Sequence, residues 1–155
     1  MNATVAGLLD DLPLPRRVAI AHLLRTALHT ARELGWLYAI FADRTDLPPL
    51  RAGLTALSRA KATEVPALES LARAAAAALR EGAGPVPEVA PVGETGNGRL
   101  EDFGRAFRRE QALAAAYREV LTLAGDPARL PGLADLAAEQ RRHQARLRDL
   151  YRQYS

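Results

Sequence analysis

Leu54, Leu57, Lys61, Glu64, Leu68 and Leu71 follow one another in steps of three and four. That spacing puts all of them on one stripe of an α-helix, the stripe that faces a core. Two of these side chains are charged, so the pattern predicts a polar layer inside an apolar seam. A chain carrying such a layer must supply partners for it from other helices, because isolated charges are not buried without compensation.

With 155 residues, 48% of them hydrophobic, the chain is expected to form a single soluble domain with its own core, spanning 1–155. No long run of residues is free of charge, which argues against a membrane span. The first residues, Met1 to Asp11, end in Asp10-Asp11 and carry no basic, apolar, cleavable pattern, so a cytoplasmic location is expected. The absence of cysteine excludes disulfides, thiolate metal sites and cysteine nucleophiles. The formal net charge of +3 is too small and too scattered to mark a nucleic-acid surface. Its distribution is more telling: every basic residue is arginine except Lys61, and Lys61 lies in the opening stripe.

Read in order, Met1 to Leu12 forms a short helical turn or a frayed end, punctuated by Pro13 and Pro15. A first long helix is predicted from about Arg16 to Asp43, with Leu24, Leu28, Ala31, Leu34, Tyr38 and Phe41 inward. Asp46-Leu47-Pro48-Pro49 breaks it, and a second runs from about Pro48 to Arg80. Pro66 inside that helix removes one backbone hydrogen bond. Residues 82–99, rich in glycine and proline, read as a connection: either a flexible linker or a crossover running the length of a bundle. A third helix follows over about Leu100 to Ala124, with Phe103, Phe107, Glu110, Leu113, Tyr117 and Val120 inward. After Gly125-Asp126-Pro127 comes a fourth, about Pro131 to Tyr154, carrying Leu133, Leu136, Gln140, His143, Leu147, Leu150 and Tyr154. Four long helices without a strand signal predict an all-α fold, an antiparallel four-helix bundle of two hairpins, 16–81 and 100–154.

A shift of 79 residues lays Tyr38 on Tyr117, Leu34 on Leu113, Pro48 on Pro127, Gly53-Leu54 on Gly132-Leu133, Leu57 on Leu136, Leu68 on Leu147 and Leu71 on Leu150. These matches keep the turn proline and the core stripe together, the pattern expected of a duplicated hairpin. The same shift places Ala31 on Glu110, Lys61 on Gln140 and Glu64 on His143, so the polar exceptions converge on one layer.

Glu110-x-x-Leu113-x-x-x-Tyr117, followed by Gln140-x-x-His143, resembles the half-site of the ferritin-like superfamily, most closely its rubrerythrin-like members. The likeness runs from about Thr26 to Tyr154. In that family each hairpin supplies a Glu on its first helix and a Glu-x-x-His on its second, which together bind two iron or manganese ions. Carried over residue by residue, the resemblance implies a former metal-site layer of Ala31, Lys61, Glu64, Glu110, Gln140 and His143, with Tyr38 and Tyr117 beside it. Only Glu110 and His143 keep the family's ligand type. Glu64 offers a third ligand, and an alternative is a single iron, manganese or zinc ion at Glu64, Glu110 and His143. Without a cation between them, buried Glu64 and Glu110 would repel and take up protons. Lys61 is placed to be that cation, its compact ammonium donating three hydrogen bonds.

Blander readings stand beside this one. Lys61 and Glu64, one turn apart, are also the spacing of a solvated surface pair, and His143 also fits an ordinary core histidine. His22, His29 and Glu33 share a face with metal-compatible spacing that equally suits a surface or a subunit contact. Trp36 and Tyr38 read as core or interface aromatics, and the arginines of the last helix as a solvated face. Three functions follow: a ferritin-like bundle without metal acting as a non-catalytic binding or scaffold protein, expected to be a homodimer; a one-metal oxidoreductase or stress protein; and a nucleic-acid binder, the least supported by the charge pattern. No cofactor is expected under the first.

Overall fold

A computed structural model describes residues 5–79 and 98–155. The described residues form five α-helices and one 3-10 turn, with no strand among them: α1 Val5–Leu9, α2 Leu14–Arg44, α3 Pro48–Ala77, α4 Arg99–Ala124, the 3-10 turn Pro127–Arg129, and α5 Leu133–Tyr154. The all-α expectation holds. The crossover expected between the second and third helices falls on residues 80–97, outside the described residues, while Arg99, assigned above to the connection, instead opens α4.

Local chemistry accounts for the boundaries. Pro15 sits in the first turn of α2, where a missing amide donor costs nothing, so the helix starts two residues earlier than the spacing predicts. The Thr45 amide closes it on the carbonyls of Phe41 and Ala42, and the Arg51 guanidinium donates to the Thr45 carbonyl at 2.6 Å. Pro48 and Pro49 then begin α3 at once. Helix α3 continues through Pro66 to Ala77, shorter than expected at its end. Helix α4 ends at Gly125, whose φ of 77° suits a residue without Cβ. The Asp126 carboxylate then accepts from the Ala128 amide at 2.9 Å, holding the 3-10 turn. The fourth long helix begins at Leu133, after Gly132 at φ 89°, and not at Pro131.

Helix α2 packs on α3 and α4, α4 packs on α5, and α3 meets α5, while short α1 lies on α3. The inward stripes supply a core with Ile20, Leu24, Leu28, Leu34, Leu54, Leu68, Leu113, Val120, Leu133 and Leu147 fully buried. Each such side chain contributes roughly 1.5–3 kcal/mol. Phe107, Leu136 and Tyr154, expected inward, are half-buried at the rim of that core. Phe41, Phe103 and Tyr151 meet edge to face at one end, with ring centroids 5.0 and 5.5 Å apart. Trp36 is 46% exposed and so is no core aromatic. No described helix is long and apolar enough to cross a membrane.

Candidate functional site: a buried lysine and carboxylate layer

The polar positions of α3, α4 and α5 meet in the middle of this packing. Lys61 and Glu110 are fully buried, Gln140 is 1% exposed, and Glu64 and His143 are 4% and 7% exposed. The reading of Lys61 and Glu64 as a solvated pair is therefore overturned: the helix stripe that carries them is buried against α4 and α5.

The Lys61 ammonium is the hub. Its Nζ lies 3.0 Å from Glu110 Oε1, 3.1 Å from Glu110 Oε2 and 3.5 Å from Glu64 Oε2. Tyr38 on α2 donates to Glu110 Oε1 at 2.8 Å. Gln140 on α5 donates through Nε2 both to Glu110 Oε2 and to the Glu110 backbone carbonyl, each at 2.8 Å. Glu110 is thus saturated by three helices. Glu64 is less well served. One of its oxygens accepts from the Tyr117 hydroxyl, while the other has no hydrogen bond and faces His143 Nδ1 at 3.7 Å. His143 Nδ1 is likewise buried without a hydrogen bond, and its Nε2 is 3.9 Å from the exposed Glu139 carboxylate.

Electrostatics follow from this uneven supply. Burial raises the Glu64 carboxyl above the usual carboxylate range, with the charge of Lys61 the largest opposing influence. Burial, then the positive charges of Lys61 and Arg142, lower His143 to about 4, so its ring is neutral at pH 7. Its contact with Glu64 is therefore no ion pair at that pH. Burial and the neighbouring carboxylates push both phenols upward, which keeps Tyr38 and Tyr117 protonated as donors.

The layer does not fit a metal ion. The gap between the two carboxylates that a bridging ion would need is held by Nζ, and no group of three His, Cys, Asp or Glu side chains able to hold a metal occurs among the described residues. The alternative of one metal at Glu64, Glu110 and His143 is corrected accordingly: the three side chains do come together in the layer, but the Lys61 ammonium stands between the two carboxylates. Ala31 is buried on α2 and supplies no polar atom. At the second candidate face, His29 Nε2 lies 3.1 Å from Glu33, whose other oxygen takes the Arg109 guanidinium at 2.5 Å, so that face is a cross-helix ion pair.

Two contributors were not singled out from the spacing. Gly35 faces α3 beside Lys61, where a Cβ would make ordinary van der Waals contact at 3.7 Å with Lys61 Cβ, and the Ser58 hydroxyl donates to its carbonyl at 2.9 Å. Arg17 donates to the Ala78 carbonyl at 3.0 Å, tying the start of α2 to the end of α3. A small residue between Leu34 and Trp36 was the available signal for the first. Comparison with family models, with curated proteins and with solved structures finds no match to this chain.

Proposed function

We propose that this chain is an antiparallel four-helix bundle of two duplicated hairpins, of ferritin-like and most closely rubrerythrin-like descent, that works as a non-catalytic binding or scaffold protein. The observation that carries this reading is the Lys61 ammonium between Glu64 and Glu110, 3.5 and 3.0 Å from their oxygens, in the layer where such bundles hold metal. A bound ammonium supplies the positive charge that two buried carboxylates require but offers no open coordination position and no redox chemistry. Support for common descent comes from Tyr38 and Tyr117, matched by the same 79-residue shift, each donating to a carboxylate of the layer. We further propose a homodimer, with an apolar flank such as that around Leu100 and Tyr151 as the contact.

The test is metal analysis of the protein as purified and after dialysis against iron, manganese or zinc, with folding followed by circular dichroism. The expected result is a folded chain without stoichiometric metal. One ion per chain, held by the wild type and lost on Glu110→Gln, would overturn the reading in favour of a metal-dependent oxidoreductase. Light scattering at micromolar concentration reads the dimer, and a monomer mass sinks that part alone.

A further inference from the structure

An amine and a carboxamide end on one carboxylate oxygen. Lys61 Nζ lies 3.1 Å from Glu110 Oε2, and Gln140 Nε2 donates to that same oxygen at 2.8 Å. All three side chains are at most 1% exposed. We propose that Lys61 and Gln140 react to form an intramolecular isopeptide bond, with Glu110 as the catalytic acid and base.

Glu110 touches both reacting side chains and can carry protons between them. The Glu110 carboxylate takes one proton from the ammonium and frees the Nζ lone pair. Nζ attacks Gln140 Cδ, and the carbonyl electrons move onto Oε1. A second proton passes from Nζ through Glu110 to Nε2, the Cδ–Nε2 bond breaks as the carbonyl re-forms, and ammonia leaves. Of the three ammonium hydrogens, one stays on the new amide, one departs in ammonia with the two from Gln140, and one remains on Glu110. No oxidant, reductant or further reactant enters. The ion pair described above is the reactant arrangement.

Three observations favour this chemistry here. Burial disfavours separated charge, and the product replaces an ammonium and a carboxylate by a neutral amide and a neutral acid. The groups are held before reaction: Tyr38 pins Glu110 Oε1 at 2.8 Å, and Gln140 spends its second amide hydrogen on the Glu110 carbonyl at 2.8 Å. Such holding gives intramolecular steps very high effective concentrations. Finally, the chain's sole lysine is the buried one in a sequence whose other basic residues are all arginine. A guanidinium keeps its proton and cannot serve as this nucleophile, whereas a buried amine can give it up. A carboxylate is a poor acyl donor, which leaves the Gln140 carboxamide, held on Glu110 Oε2, as the electrophile.

This inference rests on the Lys61, Glu110 and Gln140 geometry and not on ferritin-like descent, so metal analysis and the following test fail separately. The test is intact-mass spectrometry and peptide sequencing of the full chain. The expected mass is lighter than the sequence by one ammonia, with a branched peptide joining Lys61 to Gln140 and faster migration on a denaturing gel. Glu110→Gln and Lys61→Met should keep their sequence masses; if either fails to fold, the wild-type mass decides. A wild-type chain at its sequence mass after prolonged incubation, with the Lys61 amine free, overturns the proposal. So does ammonia loss located at Asn97-Gly98, whose sequence can cyclise with the same mass change, or water loss joining Lys61 to Glu64 or Glu110.

Discussion

The α2–α3 pair and the α4–α5 pair are built on matching sequence frames, yet the same residue does different work in each. Pro48 starts α3 directly after α2, whereas Pro127 starts a 3-10 turn that delays α5 to Leu133. Gly53 lies inside α3, where a Cβ would come 2.6 Å from Leu150 Cδ2, so it is glycine to let α5 approach. Gly132 has open space around it but a φ of 89°, so it is glycine for its backbone. The polar layer divides similarly. The first pair gives the cation, the second gives the fully satisfied carboxylate, and Glu64 of the first pair is left half-served. What the difference teaches is that a shared hydrophobic stripe fixes where helices meet, while individual substitutions on it settle the electrostatics of the meeting.

The sharpest way to break the comparison is to remove the cation. Compared with wild type that still carries the free Lys61 amine, Lys61→Met leaves two buried carboxylates without a counter-charge and is expected to lower stability by about 3–5 kcal/mol in urea unfolding. Adding Glu110→Gln should recover part of that loss, a coupling of about 1–3 kcal/mol. Strict additivity of the two would show that the ammonium and Glu110 do not interact. The two tyrosines come next. Tyr117→Phe removes the hydrogen bond to Glu64, whose other oxygen has none, and should cost about 2–3 kcal/mol. Tyr38→Phe leaves Glu110 with Lys61 and Gln140 and should cost nearer 1 kcal/mol. Equal costs would mean that the two carboxylates are equally served.

A pH profile sharpens the contrast between Glu64 and His143. The folded pKa of His143, about 4, lies below its unfolded value of 6.5, so the unfolded chain binds more protons between them. Stability from this group is present above about pH 6.5 and is lost as pH falls toward 4, by on the order of 3 kcal/mol, about two-thirds of it by pH 5. Glu64 has the opposite sign: its raised folded value makes the native chain bind the proton first, so stability increases as pH falls through that value toward 4.5. His143→Gln should therefore remove the loss between pH 7 and 5 in urea midpoints, and an unchanged slope would count against the buried neutral ring. The smallest effects separate the glycines. Gly53→Ala is expected to destabilise by about 1–2 kcal/mol and to be relieved by trimming Leu150 to Ala. Gly132→Ala should cost about 1 kcal/mol whatever stands at Leu150.

Much of this was legible along the chain because helical periodicity is local. Leu54 to Leu71 predicted its own inward face, and Gly125 and Pro127 marked the end of α4. The identity of the layer was legible too, since Lys61, Glu64, Glu110, Gln140 and His143 each interrupt an apolar stripe. Partner choice was not. That Tyr117 takes Glu64 and Tyr38 takes Glu110, that one Gln140 amide serves both a carboxylate and a backbone carbonyl, and that Trp36 points outward all depend on relative rotation of the helices. Spacing within one helix carries no record of that rotation.

By itself, then, the order of residues determined that these segments coil into helices, which stripe each buries, and that charge would have to be buried with it. Only the tertiary structure decided between a buried Lys61 ammonium and a solvated Lys61–Glu64 pair, and only it decided which partner each side chain of the layer takes. The physical reason is range. Backbone preference and hydrophobic period act over one or two turns, whereas satisfying a buried charge is a contest among side chains from different helices, resolved only when they pack.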